Sequence, residues 1–145
     1  MNRTSRTLPL FFSAAMYSLF GGYVHLREWL NGYRLIPSRV PGSWVVRDGF
    51  ILNAAVSVVL VGALVLAATK LPKLTVPALL GNAAFQVGSL GILIATRVGS
   101  VFGWAEPVWT QGADQARAAE IGALVMLGLT GLLYFRTRPV VAPAA

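Results

Sequence analysis

The chain alternates between four long apolar stretches and short polar or basic segments. The stretches cover about residues 8–28, 49–69, 74–97 and 117–136. An α-helix rises about 1.5 Å per residue, so crossing a bilayer core about 30 Å thick takes roughly 20 residues. The pattern therefore predicts an all-α polytopic membrane protein. We expect a four-transmembrane-helix bundle with two longer outer loops, in one membrane domain of residues 1–145.

The segments between the stretches favour the same interpretation. Lys70-Leu71-Pro72-Lys73 is a short basic turn in which proline blocks helix continuation. The first stretch follows two arginines, as the apolar core of a signal peptide follows basic residues, but it is longer than such a core usually is. Small residues that resemble a cleavage site lie inside this stretch rather than after it. We therefore expect a retained helix there.

Composition restricts the chemistry further. Hydrophobic residues make up 56% of the chain and charged residues 12%, against about a quarter charged in soluble domains. The absence of cysteine excludes disulfides, iron–sulfur clusters and thiolate metal sites. The net charge of +7 comes from basic residues at the ends of apolar stretches. This placement is typical of membrane topology and contact with anionic lipid rather than of nucleic-acid binding.

The distribution of charge predicts an orientation. Four crossings put both termini on one side, where six Lys and Arg residues lie in three short segments. The other side also holds six Arg residues, spread over two much longer loops, together with all five acidic residues. We expect the protein to lie in the plasma membrane, that is, the cell inner membrane. Because positive charge concentrates in short cytoplasmic segments, we also expect both termini to be cytoplasmic. The tryptophans near the outer loops indicate an interfacial belt or a functional cap.

Small residues recur in the third and fourth stretches. Gly81, Ala84 and Gly88 are spaced by three and four, which places them on one helix face. Gly122, Gly128 and Gly131 follow in the fourth stretch. Small residues let helix backbones approach closely in lipid, so this pattern predicts helix packing.

Amide side chains lie within two of the predicted helices. Asn82 and Gln86 are four residues apart and share a face that Ser89 continues, while Asn53 lies about one turn inside the second helix. A bare amide in lipid costs several kcal/mol, so each needs a partner. These residues either form hydrogen bonds that hold neighbouring helices together or provide a polar lining for a small ligand.

Candidate chemistry gathers at the outer ends of the helices. His25 and Glu28 form an H-x-x-E pair, and Glu120 enters the fourth helix from the same side. These three residues are the candidate metal ligands, although a metal site needs three or four that converge. Glu120 could instead pair with Arg97, or with Arg27 or Arg117.

The segment after His25-Leu26 resembles a pattern in small four-helix membrane proteins of actinobacteria. The pattern continues as Gly-Tyr-Arg-x-Ile-Pro, here 32–37, and then as a Phe-x-Leu-Asn type opening of the second helix, here 50–53. The stretch 39–47 looks like an insertion relative to it. The family is mainly uncharacterised. The resemblance singles out the residues to test first, which are His25, Tyr33, Arg34 and Asn53.

Two functional hypotheses follow. No phosphate loop, nucleophile elbow or zinc-protease motif is present in the sequence, and no cofactor is predicted. This favours a non-enzymatic accessory subunit of a larger envelope, lipid-transport or respiratory complex. Its partners would be the bilayer and other membrane subunits or a second copy, not nucleic acid. The alternative is a binding protein for a quinone, lipid or metal. Its candidate ligand-binding residues are His25, Glu28, Tyr33, Arg34, Asn53, Asn82, Gln86, Arg97 and Glu120.

Overall fold

The computed structural model describes residues 3–136, with side chains from residue 7 onward. Its α-helices are α1 (Arg3–Asn31), α2 (Trp44–Thr69), α3 (Thr75–Val98) and α4 (Gln111–Arg136). Single 3-10 turns at Tyr33–Leu35 and Pro72–Leu74 lie in the connections. The predicted all-α fold with four membrane-length helices is confirmed. We call the end with the two long connections the loop end and the opposite end the terminal end.

Three of the four helices begin earlier than the apolar stretches indicate. The first begins at Arg3 rather than near residue 8. The second begins at Trp44 rather than near residue 49, and the fourth at Gln111 rather than near 117. The added turns of α4 bury Gly112, Ala113 and Ala116 against the bundle while Asp114 faces outward. An amphipathic helix end of this kind lacks the continuous apolar run by which a membrane helix is recognised.

The helices surround a common axis in chain order. The first helix packs extensively against both α2 and α4, and α3 packs mainly against α4. Contact between α2 and α3 is the sparsest of the four neighbouring pairs. In the terminal half an apolar core fills the bundle, and its members are Phe11, Ala14, Ala15, Leu64, Ala67, Ala78, Leu79 and Leu127.

Polar and apolar side chains are arranged as expected for a lipid solvent. Asn82, Gln86 and Glu120 are at most 2% exposed, whereas Val59 is 70% exposed and Leu80 65%. A soluble protein would bury the aliphatic residues and expose the charged one. Inside a membrane the same energetics turn polar groups toward the bundle interior. The chain is therefore a multi-pass membrane protein.

Glycines divide into two sets by what surrounds them. A Cβ at Gly22 would lie 2.7 Å from the Ser57 Cβ, and one at Gly122 would lie 2.6 Å from the Tyr17 ring. These two glycines permit the close approach of α1 to α2 and α4. Within this chain the expected packing role does not extend to Gly88, Gly128 and Gly131, where a Cβ would meet nothing within 4 Å. Spacing alone identifies a shared face but does not say what that face contacts.

The two long connections join at the loop end. Gly42 has a φ of 70°, and a Cβ there would lie 2.4 Å from the Trp104 backbone nitrogen. Val101 and Trp104 exchange two backbone hydrogen bonds, and the intervening Phe102 stacks on Trp44 at 5.0 Å between ring centroids. The connections thus form one cap over the loop end of the bundle.

Candidate functional site

Four polar side chains, one from each helix, meet in the loop half of the bundle. His25 Nε2 lies 3.3 Å from Glu120 Oε1, and Ser89 Oγ donates to the same carboxylate oxygen at 2.5 Å. The Asn53 amide donates to Ser89 Oγ at 2.8 Å. We call these four residues the polar layer. It connects all four helices through side chains distant in sequence.

The polar layer forms because its members lie at matching depths. Asn53, Ser89 and Glu120 are each about nine residues inside their helices from the loop end, or roughly 13 Å along the axis. His25 is nearer to the end of α1 and reaches the layer with a longer side chain. Gly21 and Gly22, one turn before His25, let α1 pack closely against its neighbours. The layer is therefore a consequence of helix register and close packing together.

The layer leaves one buried acceptor without a partner. Glu120 is 1% exposed, and its Oε2 has no hydrogen-bond partner among the described residues. Its Oε1, by contrast, contacts both His25 and Ser89. Buried carboxylate oxygens are normally satisfied, and an exception in lipid is a candidate for function.

A cavity of about 360 Å³ lies beside the polar layer between α2 and α3. His25, Asn53 and Ser89 contribute to its inner wall, and Arg97 and Glu106 contribute nearer the cap. The rest of its lining is mostly apolar. Leu52 and Ile92 line it and are 62% and 49% exposed within membrane-length helices. We call it the side cavity, because these exposed residues place its opening on the lipid-facing side of the bundle.

A second set of polar groups lies between the side cavity and the cap. Arg97 pairs with the Glu106 carboxylate at 3.0 Å and donates to the Glu106 backbone oxygen at 2.6 Å. Tyr33 donates its hydroxyl to the same carboxylate. Burial, with the hydrogen bond and charge of Glu106, raises the pKa of the Tyr33 phenol above its ordinary value. We call Arg97 and Glu106 the rim pair.

The amides of α3 belong to a different group. Asn82 donates to the backbone oxygens of Leu60 and Ala78, each at 3.1 Å, and accepts from Ser18 at 3.4 Å. Gln86 donates to Ser18 Oγ at 3.2 Å. None of Ser18, Asn82 and Gln86 lines the side cavity. This core cluster joins α1, α2 and α3 nearer the terminal end.

The predicted site residues are thus only partly brought together. Glu28 bonds to Arg27 at 2.7 Å, and the Arg34 guanidinium lies 6.0 Å from the Trp29 ring centroid. Neither residue lines the side cavity. Within residues 3–136 no three His, Asp or Glu side chains form a group that could hold a metal ion. The pairing of Glu28 with Arg27 explains why the proposed trio does not converge.

Glu120 does not form the ion pair with an arginine that the sequence predicts. Arg97 pairs with Glu106, and Arg117 pairs with Asp114 at 2.9 Å. Each of these arginines pairs with an acid near the loop end. Glu120 lies too deep for them and instead meets His25.

Three contributors were not among the predicted site residues. Ser89 follows Gln86 by three residues on one face, so its spacing signalled proximity to the core cluster rather than to Glu120. Glu106 lies in a connection whose path no periodicity determines. Phe50 packs 4.8 Å from both the His25 and Tyr33 rings, and in sequence it is one more apolar residue of α2.

Comparison with known proteins identifies no relative of this chain. No family model, no curated protein and no solved structure matches the chain. The resemblance to actinobacterial four-helix proteins therefore stays a prediction. What the chain does has to be argued from the polar layer and the side cavity.

Proposed function

We propose that this protein binds a small amphipathic molecule in the side cavity. The polar head would lie against the polar layer, and the apolar part would extend between α2 and α3 toward the lipid. The observation that carries this proposal is a mostly apolar opening lined by His25, Asn53 and Ser89, and behind them lies the buried, incompletely partnered Glu120. Structural polar groups in lipid are normally paired within the bundle, as the core cluster is.

The dimensions of the cavity support a small ligand. About 360 Å³ lies at the lower end of the usual range for small-molecule sites, roughly 300–1,000 Å³. That volume suits a ring or a segment of a lipid chain rather than a whole phospholipid. Such sites combine mostly apolar walls with a few polar groups that orient the ligand. A quinone or lipid fits this description better than a metal, for which the described residues offer two ligands here.

Two glycine substitutions on α3 provide a matched test. Gly88 lines the side cavity and Gly91 does not, while at both positions a Cβ would meet nothing within 4 Å. Gly88→Leu should therefore fill the cavity without a clash, and Gly91→Leu should add the same atoms to an open face. In lipid nanodiscs, equilibrium dialysis with 4-octylphenol and its methyl ether 4-octylanisole would measure binding.

We expect saturable binding of at least one probe by the natural chain and by Gly91→Leu, and its loss in Gly88→Leu. Equal uptake by all three proteins would reflect partitioning into lipid and would overturn the proposal. Thermal unfolding of each protein in the same nanodiscs checks that Gly88→Leu remains folded.

A second candidate is the accessory subunit of a larger envelope, lipid-transport or respiratory complex. The glycines with open surroundings favour it, because small residues on outward helix faces suit contact with another helix. Purification in mild detergent followed by mass spectrometry tests this role. A stoichiometric membrane partner that is lost in Gly128→Leu would support it, and recovery of a monomer alone would contradict it.

We also propose that the protein lies in the plasma membrane with the loop end outside the cytoplasm. The density of Lys and Arg on the terminal side supports this orientation. A reporter fused to the C-terminus should be active only in the cytoplasm. Activity on the opposite side of the membrane would contradict it.

A further inference from the structure

We infer that the side cavity selects a neutral amphiphile whose head is a hydroxylated ring, with the hydroxyl donating to His25 Nδ1. This inference rests on the proposed binding function and specifies its ligand. It follows from the direction of the hydrogen bonds in the polar layer, from the charges around the cavity and from the aromatic residues in its wall.

The direction of the hydrogen bonds begins at Asn53. Its amide nitrogen can only donate, and it donates to Ser89 Oγ at 2.8 Å. The Ser89 hydroxyl thereby accepts one bond and has its own proton left for Glu120 Oε1 at 2.5 Å. That carboxylate oxygen is consequently an acceptor. A proton on Glu120 would be carried by Oε2, away from His25.

This direction selects one tautomer of His25. Because Glu120 Oε1 accepts, His25 Nε2, 3.3 Å away, must carry the proton of their hydrogen bond. In a neutral imidazole the other nitrogen then presents a lone pair. No hydrogen bond from another described residue reaches Nδ1, and the His25 side chain lines the side cavity. The ring nitrogen left for a ligand is therefore an acceptor, and its partner must be a donor.

The charges around the cavity favour a neutral head. Arg97 is already paired with Glu106, so the rim pair contributes no net charge. The remaining acid, Glu120, lies directly behind His25 and offers no positive charge to an anion. Lys70 and Lys73 lie at the terminal end, and Arg47, which pairs with Asp48, does not line the cavity. Among the described residues, Arg97 is the only Lys or Arg that lines the side cavity. Its Nε has no hydrogen-bond partner, but its charge is matched by Glu106, so no lining cation is left to balance an anionic head.

Aromatic side chains determine the shape of the preferred head. Phe50, which lies edge-on to the His25 ring, and Phe85 both line the side cavity, and Trp44 and Phe102 line it near the cap. Offset and edge-to-face contacts between rings add stabilisation beyond burial alone. A ring that carries a hydroxyl satisfies both the aromatic wall and the Nδ1 acceptor, which a plain alkyl alcohol does not.

The tautomer can be measured directly because His25 is the only histidine of the chain. The protein is labelled with ¹⁵N-histidine, purified with a histidine-free tag and placed in nanodiscs at neutral pH. We expect the ring nitrogen shifts to report a protonated Nε2 and a bare Nδ1. Adding 4-octylphenol should shift the Nδ1 resonance. A protonated Nδ1, whether in the other tautomer or in an imidazolium, would overturn the inference.

The ligand class is tested with three probes that share one chain. The 4-octylphenol can donate, 4-octylanisole can only accept, and 4-octylbenzoate is an anion. We expect the phenol to bind roughly five- to tenfold more tightly than the ether, as a hydrogen bond of ordinary net strength implies, and the benzoate most weakly. Equal binding of phenol and ether would overturn the inference while leaving the proposed function standing. Absence of saturable binding by any probe would remove both.

Variants connect the preference to the polar layer. His25→Phe should abolish the preference for phenol over ether. Glu120→Leu, which places an apolar residue in an apolar environment, should leave His25 with mixed tautomers and a reduced preference. Thr130→Val removes a buried hydroxyl of α4 that bonds only to the Met126 backbone oxygen among the described residues and does not line the cavity. This control should keep the full preference, and its loss there would contradict a specific role for His25.

Discussion

Asn82 and Glu120 are both almost completely buried, at 0% and 1% exposed, but their surroundings differ. Asn82 donates two bonds to backbone oxygens and accepts one from Ser18, so its amide is used within the bundle. Glu120 concentrates two contacts on Oε1 and leaves Oε2 without a described partner. The side cavity lies beside the polar layer and not beside the core cluster.

The comparison separates two uses of a polar side chain in lipid. A closed set of hydrogen bonds ties helices together and has little capacity left for a ligand. An open set retains that capacity and costs stability, since an unpartnered buried group loses its hydration without replacement. The core cluster belongs to the first kind and the polar layer to the second. Asn82 and Glu120 are almost equally buried, so replacing each of them by leucine tests whether the core cluster and the polar layer differ in this way.

The largest expected effect is the loss of stability in Asn82→Leu. Leucine removes three hydrogen bonds and leaves the Ser18 hydroxyl without its acceptor, so we expect a loss of about 2 kcal/mol. Thermal unfolding in nanodiscs measures it. Binding of 4-octylphenol should stay close to that of the natural chain. A parallel loss of binding in the folded variant would show that the two clusters are not separate.

A smaller change in stability is expected for Glu120→Leu. Leucine removes the acceptor of the Ser89 hydroxyl and of His25 Nε2, but it also removes the buried Oε2 that has no described partner. Because these effects oppose each other, we expect a loss of about 1 kcal/mol or less. Ser89 keeps the hydrogen bond that it accepts from Asn53. The same unfolding assay provides the comparison with Asn82→Leu. A loss of stability as large as that of Asn82→Leu would show that the polar layer, like the core cluster, serves to hold the helices together.

The smallest effect concerns the rim of the cavity and appears only at high pH. The raised pKa of the folded Tyr33 phenol means that the unfolded chain ionises first, at about pH 10. The stabilisation by the neutral hydroxyl is therefore complete below that pH and is lost as the pH rises above it. Unfolding measured from neutral to strongly alkaline pH should show a steeper decline for the natural chain than for Tyr33→Phe. Identical slopes would contradict the raised pKa of Tyr33, and with it the burial of the phenol beside Glu106.

The sequence indicates the positions of these residues along the helices but not which of them meet. It presents Asn53, Asn82 and Gln86 as one set of membrane amides, yet Asn53 joins the polar layer and the other two join the core cluster. The i, i+4 relation of Asn82 and Gln86 is local and could be inferred from spacing. The partner of Asn53 depends on the rotation and depth of α3 relative to α2, which no interval along the chain encodes.

Local pattern by itself determined that this chain forms four membrane-crossing helices. Long apolar stretches have no stable alternative in lipid, where each backbone hydrogen bond must be made within the helix. The sequence also determined that all five acidic residues and His25 lie toward the loop end. Only the tertiary structure decided that Glu120 meets His25 rather than an arginine, and that Glu28 turns away. Those choices depend on how closely α1 approaches its neighbours at Gly22 and Gly122. Helix register and close packing act between segments distant in sequence, and they convert separate polar residues into a closed cluster and an open one.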